Sequence, residues 1–79
     1  MNSPTDSSKR RIDLLSDRKL QVFELLGRGC STREIAGELR VNFKTVQTFC
    51  ARIKQQLDLP NAIHLWREAI RWVDGHPPR

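Results

Sequence analysis

Apolar residues along the chain recur at three- and four-residue spacing in four stretches, and no stretch alternates apolar with polar at period two. That pattern predicts four helices and no strand, an all-α chain. The first helix has Ser16 as its N-cap and Leu15 before it as a hydrophobic staple. It runs through "DRKLQVFELLGR" and stops at Gly29, a residue suited to a left-handed helix end. The second opens with "STRE", in which Ser31 and Glu34 have capping-box spacing, and its apolar residues Ile35, Ala36 and Leu39 share one face. Arg40 and Val41 make a turn. Asn42 caps a third helix running from about Phe43 to Leu57. Asp58, Leu59 and Pro60 break the chain, and Asn61 caps a fourth helix reaching about Val73.

The expected architecture is a compact four-helix bundle with a central helix-turn-helix, spanning residues 12–75. Residues 1–11, "MNSPTDSSKRR", read as a flexible tail or linker end, with Lys9, Arg10 and Arg11 as a solvated basic leader. Residues 76–79 follow Gly75 as a short C-terminal tail. At 79 residues the chain forms one domain at most. A domain of this size buries roughly 60% of its unfolded surface, so its stability is marginal.

The third helix has two unlike faces. At about 100° per residue, Val46, Phe49, Cys50, Ile53 and Leu57 fall within an arc of about 100°, a core stripe. The opposite face holds Lys44, Gln47, Thr48, Ala51 and Gln55, flanked by Arg52 and Lys54. No acidic residue occurs between Glu38 and Asp58, although the chain has nine. A solvated amphipathic helix accounts for such a face as well as a ligand-binding one does. The carboxylate-free stretch, the turn before it and the net charge of +5 together favour a polyanionic partner. A major groove about 12 Å wide admits a helix of this kind. Gln can pair with adenine N6 and N7, Thr offers a hydroxyl and a methyl, and a small residue such as Ala51 lets the backbone approach. Lys and Arg at the margins neutralise phosphates.

Other chemistry finds little support. Cys30 and Cys50 make no disulfide framework, and with His64 and His76 they have no metal-ligand spacing, so neither cofactor nor metal is expected. The chain has no Gly-rich phosphate loop and no His–carboxylate pair beside a nucleophile, which argues against an enzyme. With no signal peptide and no apolar run near the roughly 20 residues a bilayer requires, the reading is a reduced, cytoplasmic protein without a membrane partner.

From Leu14 to Trp72 the chain resembles the LuxR-type (NarL/FixJ-type) helix-turn-helix domain of bacterial transcription regulators. The resemblance lies in "LSDR" with "VFELLGRG", then "STREIAGEL", then "KTVQT" with "ARIKQQL". It implies a domain whose third helix reads double-stranded DNA and whose fourth supplies a dimer contact, with RNA polymerase as a further partner in transcription control. Carried onto this chain, base contacts fall to Gln47, Thr48 and Ala51. Backbone contacts fall to Thr32 and Arg33 at the start of the second helix and to Lys44, Thr45, Arg52 and Lys54. Three positions depart from the family. Lys19 stands where Glu is usual, removing a carboxylate from a capping position and disturbing a polar contact toward the recognition helix. Phe49 stands for His and Cys30 for Leu, both read as core substitutions.

The fourth helix is apolar over about 180°: Leu65, Trp66, Ala69, Ile70 and Val73 form a stripe that Ala62 joins and Ile63 and Trp72 widen. Docking on one small core needs about 100°. The surplus points to a two-fold contact through Ile63, Trp66, Ile70 and Trp72, with Trp72 or Ile63 near its centre; the alternative is that both tryptophans fill the core. Two rival functions remain. Sigma-factor region 4 domains share an "EIA…L" helix before a "TV"-type helix but usually lack the extra segment "NAIHLWREAIRWV". A protein-interaction module would use the fourth helix to bind or sequester another regulator without reading DNA.

Overall fold

The computed structural model describes residues 12–75, so the two tails and the Lys9–Arg11 cluster lie outside the described residues. Among the described residues four helices of eight or more residues follow in order: α1 (Asp17–Gly27), α2 (Thr32–Leu39), α3 (Phe43–Gln56) and α4 (Ala62–Gly75). No strand occurs among the described residues. A turn at Ile12–Leu15, closed by the Leu15 amide donating to the Ile12 carbonyl at 3.0 Å, leads into α1.

Each helix begins where a short polar side chain can take up an orphan amide. Asn42 Oδ1 accepts from the Lys44 amide at 2.7 Å, and Asn61 Oδ1 accepts from the His64 amide at 3.0 Å. At α2 the box is reciprocal: Ser31 Oγ accepts from the Glu34 amide at 3.1 Å, and Glu34 Oε1 accepts from the Ser31 amide at 2.8 Å. At α1 the Ser16 hydroxyl accepts from the Lys19 amide at 3.3 Å. A lysine ammonium has no acceptor to return toward the cap amide, so this cap is one-sided.

The first three helices end alike. A residue in the left-handed conformation closes each last turn, and the amide after it reaches back to a carbonyl one turn earlier. After α1 that residue is Gly29 (φ 92°), with Gly29 N to Leu26 O and Cys30 N to Leu25 O both at 3.0 Å. After α2 it is Arg40 (φ 55°), and Val41 N donates to Ala36 O at 3.0 Å. After α3 it is Asp58 (φ 57°), and Leu59 N donates to Lys54 O at 2.8 Å. Glycine adopts this conformation without strain, whereas a Cβ costs about 1 kcal/mol there. The turn between α2 and α3 is therefore held by satisfied carbonyls against a small backbone penalty at Arg40.

The core is a single cluster. Its fully buried members include Val22 and Phe23 of α1, Ile35 of α2, Val46 and Ile53 of α3 and Leu65 and Ala69 of α4, with Leu15, Leu26 and Leu57 around them. Gly27 decides how α4 seats. A Cβ there would stand 2.3 Å from the Ala69 carbonyl oxygen and 2.8 Å from its carbon, so the two backbones cross at a distance only glycine allows. That crossing turns Leu65 and Ala69 fully inward and half-buries Trp72 and Val73. Trp72 meets Phe23 edge-on at 5.9 Å between ring centroids and 61° between planes. Of the two residues expected near the centre of an outward contact, Trp72 is half-buried with its ring on this chain's own Phe23, whereas Ile63 is exposed. Ala62 also leaves the inner stripe and is exposed, and α4 runs two residues past Val73.

Candidate nucleic-acid interface

α3 divides as its wheel predicts. Val46 and Ile53 are fully buried, and Phe49 and Cys50 are half-buried against the core. On the other side Lys44, Thr45, Gln47, Thr48, Ala51, Arg52 and Gln55 are all exposed, while Lys54 is half-buried at the edge. The first turn contains no acidic residue, and neither does the rest of the helix. All three expected base-contact positions therefore share one open face, with cations at its margins.

Local bonds shape what that face offers. Thr48 Oγ1 donates to the Lys44 carbonyl at 3.0 Å. The hydroxyl proton is then engaged by the helix, and the oxygen's remaining lone pair and the methyl are what Thr48 has left for a ligand. Gln47 and Gln55 are exposed amides, able to donate and accept at once. Burial pushes the Cys50 thiol up from its ordinary value, with Lys54 partly opposing. Cys50 is thus a neutral, core-facing group, in keeping with its place on the apolar stripe.

The start of α2 adds a second cationic element. Thr32 is half-buried and Arg33 exposed. The Arg33 guanidinium carbon lies 4.9 Å from the centroid of the Phe43 ring, at the first residue of α3. Glu34 stands beside them, but its carboxylate is engaged at the Ser31 amide in the capping box.

Lys19 corrects an expectation. Its side chain makes a polar contact with the far end of α3: Lys19 Nζ donates to Gln56 Oε1 at 3.1 Å, and Gln56 Nε2 donates to the Leu14 carbonyl at 3.3 Å. Gln56 is a half-buried strut that ties α3 to α1 and to the turn before it, a role the sequence pattern did not reveal. Neither this link nor the Arg33–Phe43 stack is a periodic signal, because each joins different helices.

The outward side of α4 carries an apolar stripe beside the exposed polar residues His64, Arg67, Arg71 and Asp74. Ile63, Trp66 and Ile70 are 66%, 50% and 53% exposed. Spaced three and four apart, they form one stripe, about 110° around the helix from the core-facing residues. Among the described residues no cluster of His, Cys, Asp and Glu could hold a metal ion, and no helix is long and apolar enough to cross a membrane.

Comparison with known proteins adds a family. The profile described as GerE, bacterial regulatory proteins of the luxR family, matches residues 13–69. The chain is 36% identical over 64 residues to the virulence-factor transcription regulator BvgA of Bordetella pertussis, covering 81% of this chain and 30% of that protein. It is 38% identical over 65 residues to the transcriptional regulatory protein UhpA of Escherichia coli, covering 82% and 32%. To the transcriptional regulatory protein DesR of Bacillus subtilis it is 39% identical over 49 residues, covering 62% and 25%. The chain thus spans about a third or less of each of these relatives. No solved structure matches it.

Proposed function

The chain belongs to the luxR family of bacterial regulatory proteins, and from that premise we propose that it is a sequence-reading double-stranded DNA-binding domain of a bacterial transcription regulator, with α3 in the major groove. The observation that carries the reading is the outer face of α3. Gln47, Thr48 and Ala51 are exposed together, Lys44 and Arg52 border them, and no carboxylate shares the helix. The arrangement suits a groove floor of base edges between two phosphate walls. Gln47 offers a bidentate amide for adenine, Thr48 an acceptor and a methyl, and Ala51 room for close approach. Lys44, Thr45, Arg52 and Lys54 serve phosphates on α3, and Thr32 and Arg33 do so from α2.

The domain works as a homodimer through Ile63, Trp66 and Ile70 of α4. Three large apolar side chains on one exposed stripe support this, since a chain of this size gains nothing from leaving them in water. Two copies related by a two-fold axis would read two inverted half-sites. BvgA, UhpA and DesR are named as transcription regulators, and this chain supplies the DNA-reading function of such a regulator, with RNA polymerase as the machinery it influences.

Selection from a pool of random duplexes, followed by sequencing, tests the reading. One enriched motif with two-fold symmetry is expected. Weak, salt-sensitive retention without enrichment would instead indicate a module that engages another protein through α4.

A further inference from the structure

We infer that Phe43 is a positioning residue for DNA binding: its ring holds the Arg33 guanidinium at the junction of α2 and α3, preformed as a phosphate clamp. The inference rests on the DNA-binding reading above and concerns a residue outside the reading face. The guanidinium carbon lies 4.9 Å from the ring centroid, within the range of cation–π attraction. Attraction to a ring face uses the guanidinium's charge and none of its N–H donors as a hydrogen bond to an oxygen, so the contact leaves donors for a phosphate. Arg33 is exposed and Phe43 half-buried against the core, so the ring is anchored and the cation is not.

The neighbourhood favours an anion at that point. Arg33 is the second residue of α2, beside that helix's positive end. The nearby carboxylate of Glu34 is turned back onto the Ser31 amide. A free arginine loses rotamer freedom when it binds a phosphate. One already held over a ring has lost part of that freedom before DNA arrives, and so binds more tightly for the same contact. The ring also ties the first helix of the pair to the start of the reading helix, giving the clamp a fixed offset from Gln47.

The experiment is a double-mutant cycle on affinity for a short random-sequence duplex, where phosphate contacts supply nearly all the binding. Arg33→Ala should weaken binding and reduce the salt slope by about 0.9. Phe43→Leu should weaken it about two- to fivefold, and Phe43→Tyr should retain wild-type affinity. In the Arg33→Ala background, Phe43→Leu should have no further effect. Circular dichroism of each variant establishes that it is folded before binding is read. Equal losses from Phe43→Leu in both backgrounds, or no loss in either, would overturn the clamp, as would an unchanged salt slope in Arg33→Ala. Failure of the wild-type chain to bind any duplex would instead remove the DNA-binding reading itself. Absence of an enriched motif with the cycle intact would remove only base reading by α3.

Discussion

α3 and α4 are both helices of 14 residues with one face in the same core, yet only α4 exposes a stripe of large apolar side chains. α3 shows water two glutamines, two threonines, an alanine, a lysine and an arginine. α4 shows it the large apolar side chains Ile63, Trp66 and Ile70 beside His64, Arg67, Arg71 and Asp74. Burial against α1, and against α2 as well for α3, explains the inner residues of both helices and says nothing about the outer ones. On the proposed reading the outer faces suit different partners: a hydrated polyanion for α3 and an apolar surface for α4. The two faces differ in sensitivity to salt as well, since charge–phosphate contacts weaken with ionic strength and apolar burial does not.

The largest effect should come from removing what the two helices share. Phe23→Ala deletes a fully buried ring that also receives Trp72, and thermal or urea unfolding should show a loss of about 3–5 kcal/mol. A much smaller loss would mean that the two faces do not hang on one core. Next, Gln47→Ala should cost about 1–3 kcal/mol against a selected operator and relax preference at one base position. Equal weakening on all sequences would assign Gln47 to positioning instead. Lys54→Ala gives the complementary result: uniform weakening across sequences and a salt slope lower by about 0.9.

Arg40→Gly acts at the joint between α2 and α3 and alters neither outer face. With φ at 55°, glycine should raise stability by about 0.5–1 kcal/mol in urea titration. A loss would reveal a contact of the Arg40 side chain worth more than the strain. The smallest change in monomer stability is expected for Trp66→Ala, within about 0.5 kcal/mol at dilute concentration, while sedimentation at high concentration should show self-association lost. If this variant unfolds as readily as Trp72→Ala, the division of α4 into inner and outer residues is wrong.

Much of this was legible in the residues. Ser16, Ser31, Asn42 and Asn61 mark four helix starts because their short polar side chains bond to amides two or three residues on, and local chemistry is what a sequence encodes most directly. Gly29 marks an end for the same reason. The division of α3 was legible too, since a narrow apolar arc leaves only one way to dock. Arg40 and Asp58 were harder: the turns could be placed, but the left-handed conformation at a residue with a Cβ follows from which carbonyls need partners.

By itself, then, the sequence determined the helices, their caps, the inner stripe of α3 and the polar face opposite. Tertiary structure decided the rest. An apolar arc of about 180° on α4 permits many rotations, and the close crossing of Gly27 with the Ala69 backbone selected the one that buries Leu65 and Ala69, half-buries Trp72 and leaves Ile63, Trp66 and Ile70 outside. The same holds for Lys19 with Gln56 and Arg33 with Phe43, pairs that no periodicity links. Helical spacing fixes a side chain's angle on its own axis, but only the packing of one axis on another fixes what that side chain meets.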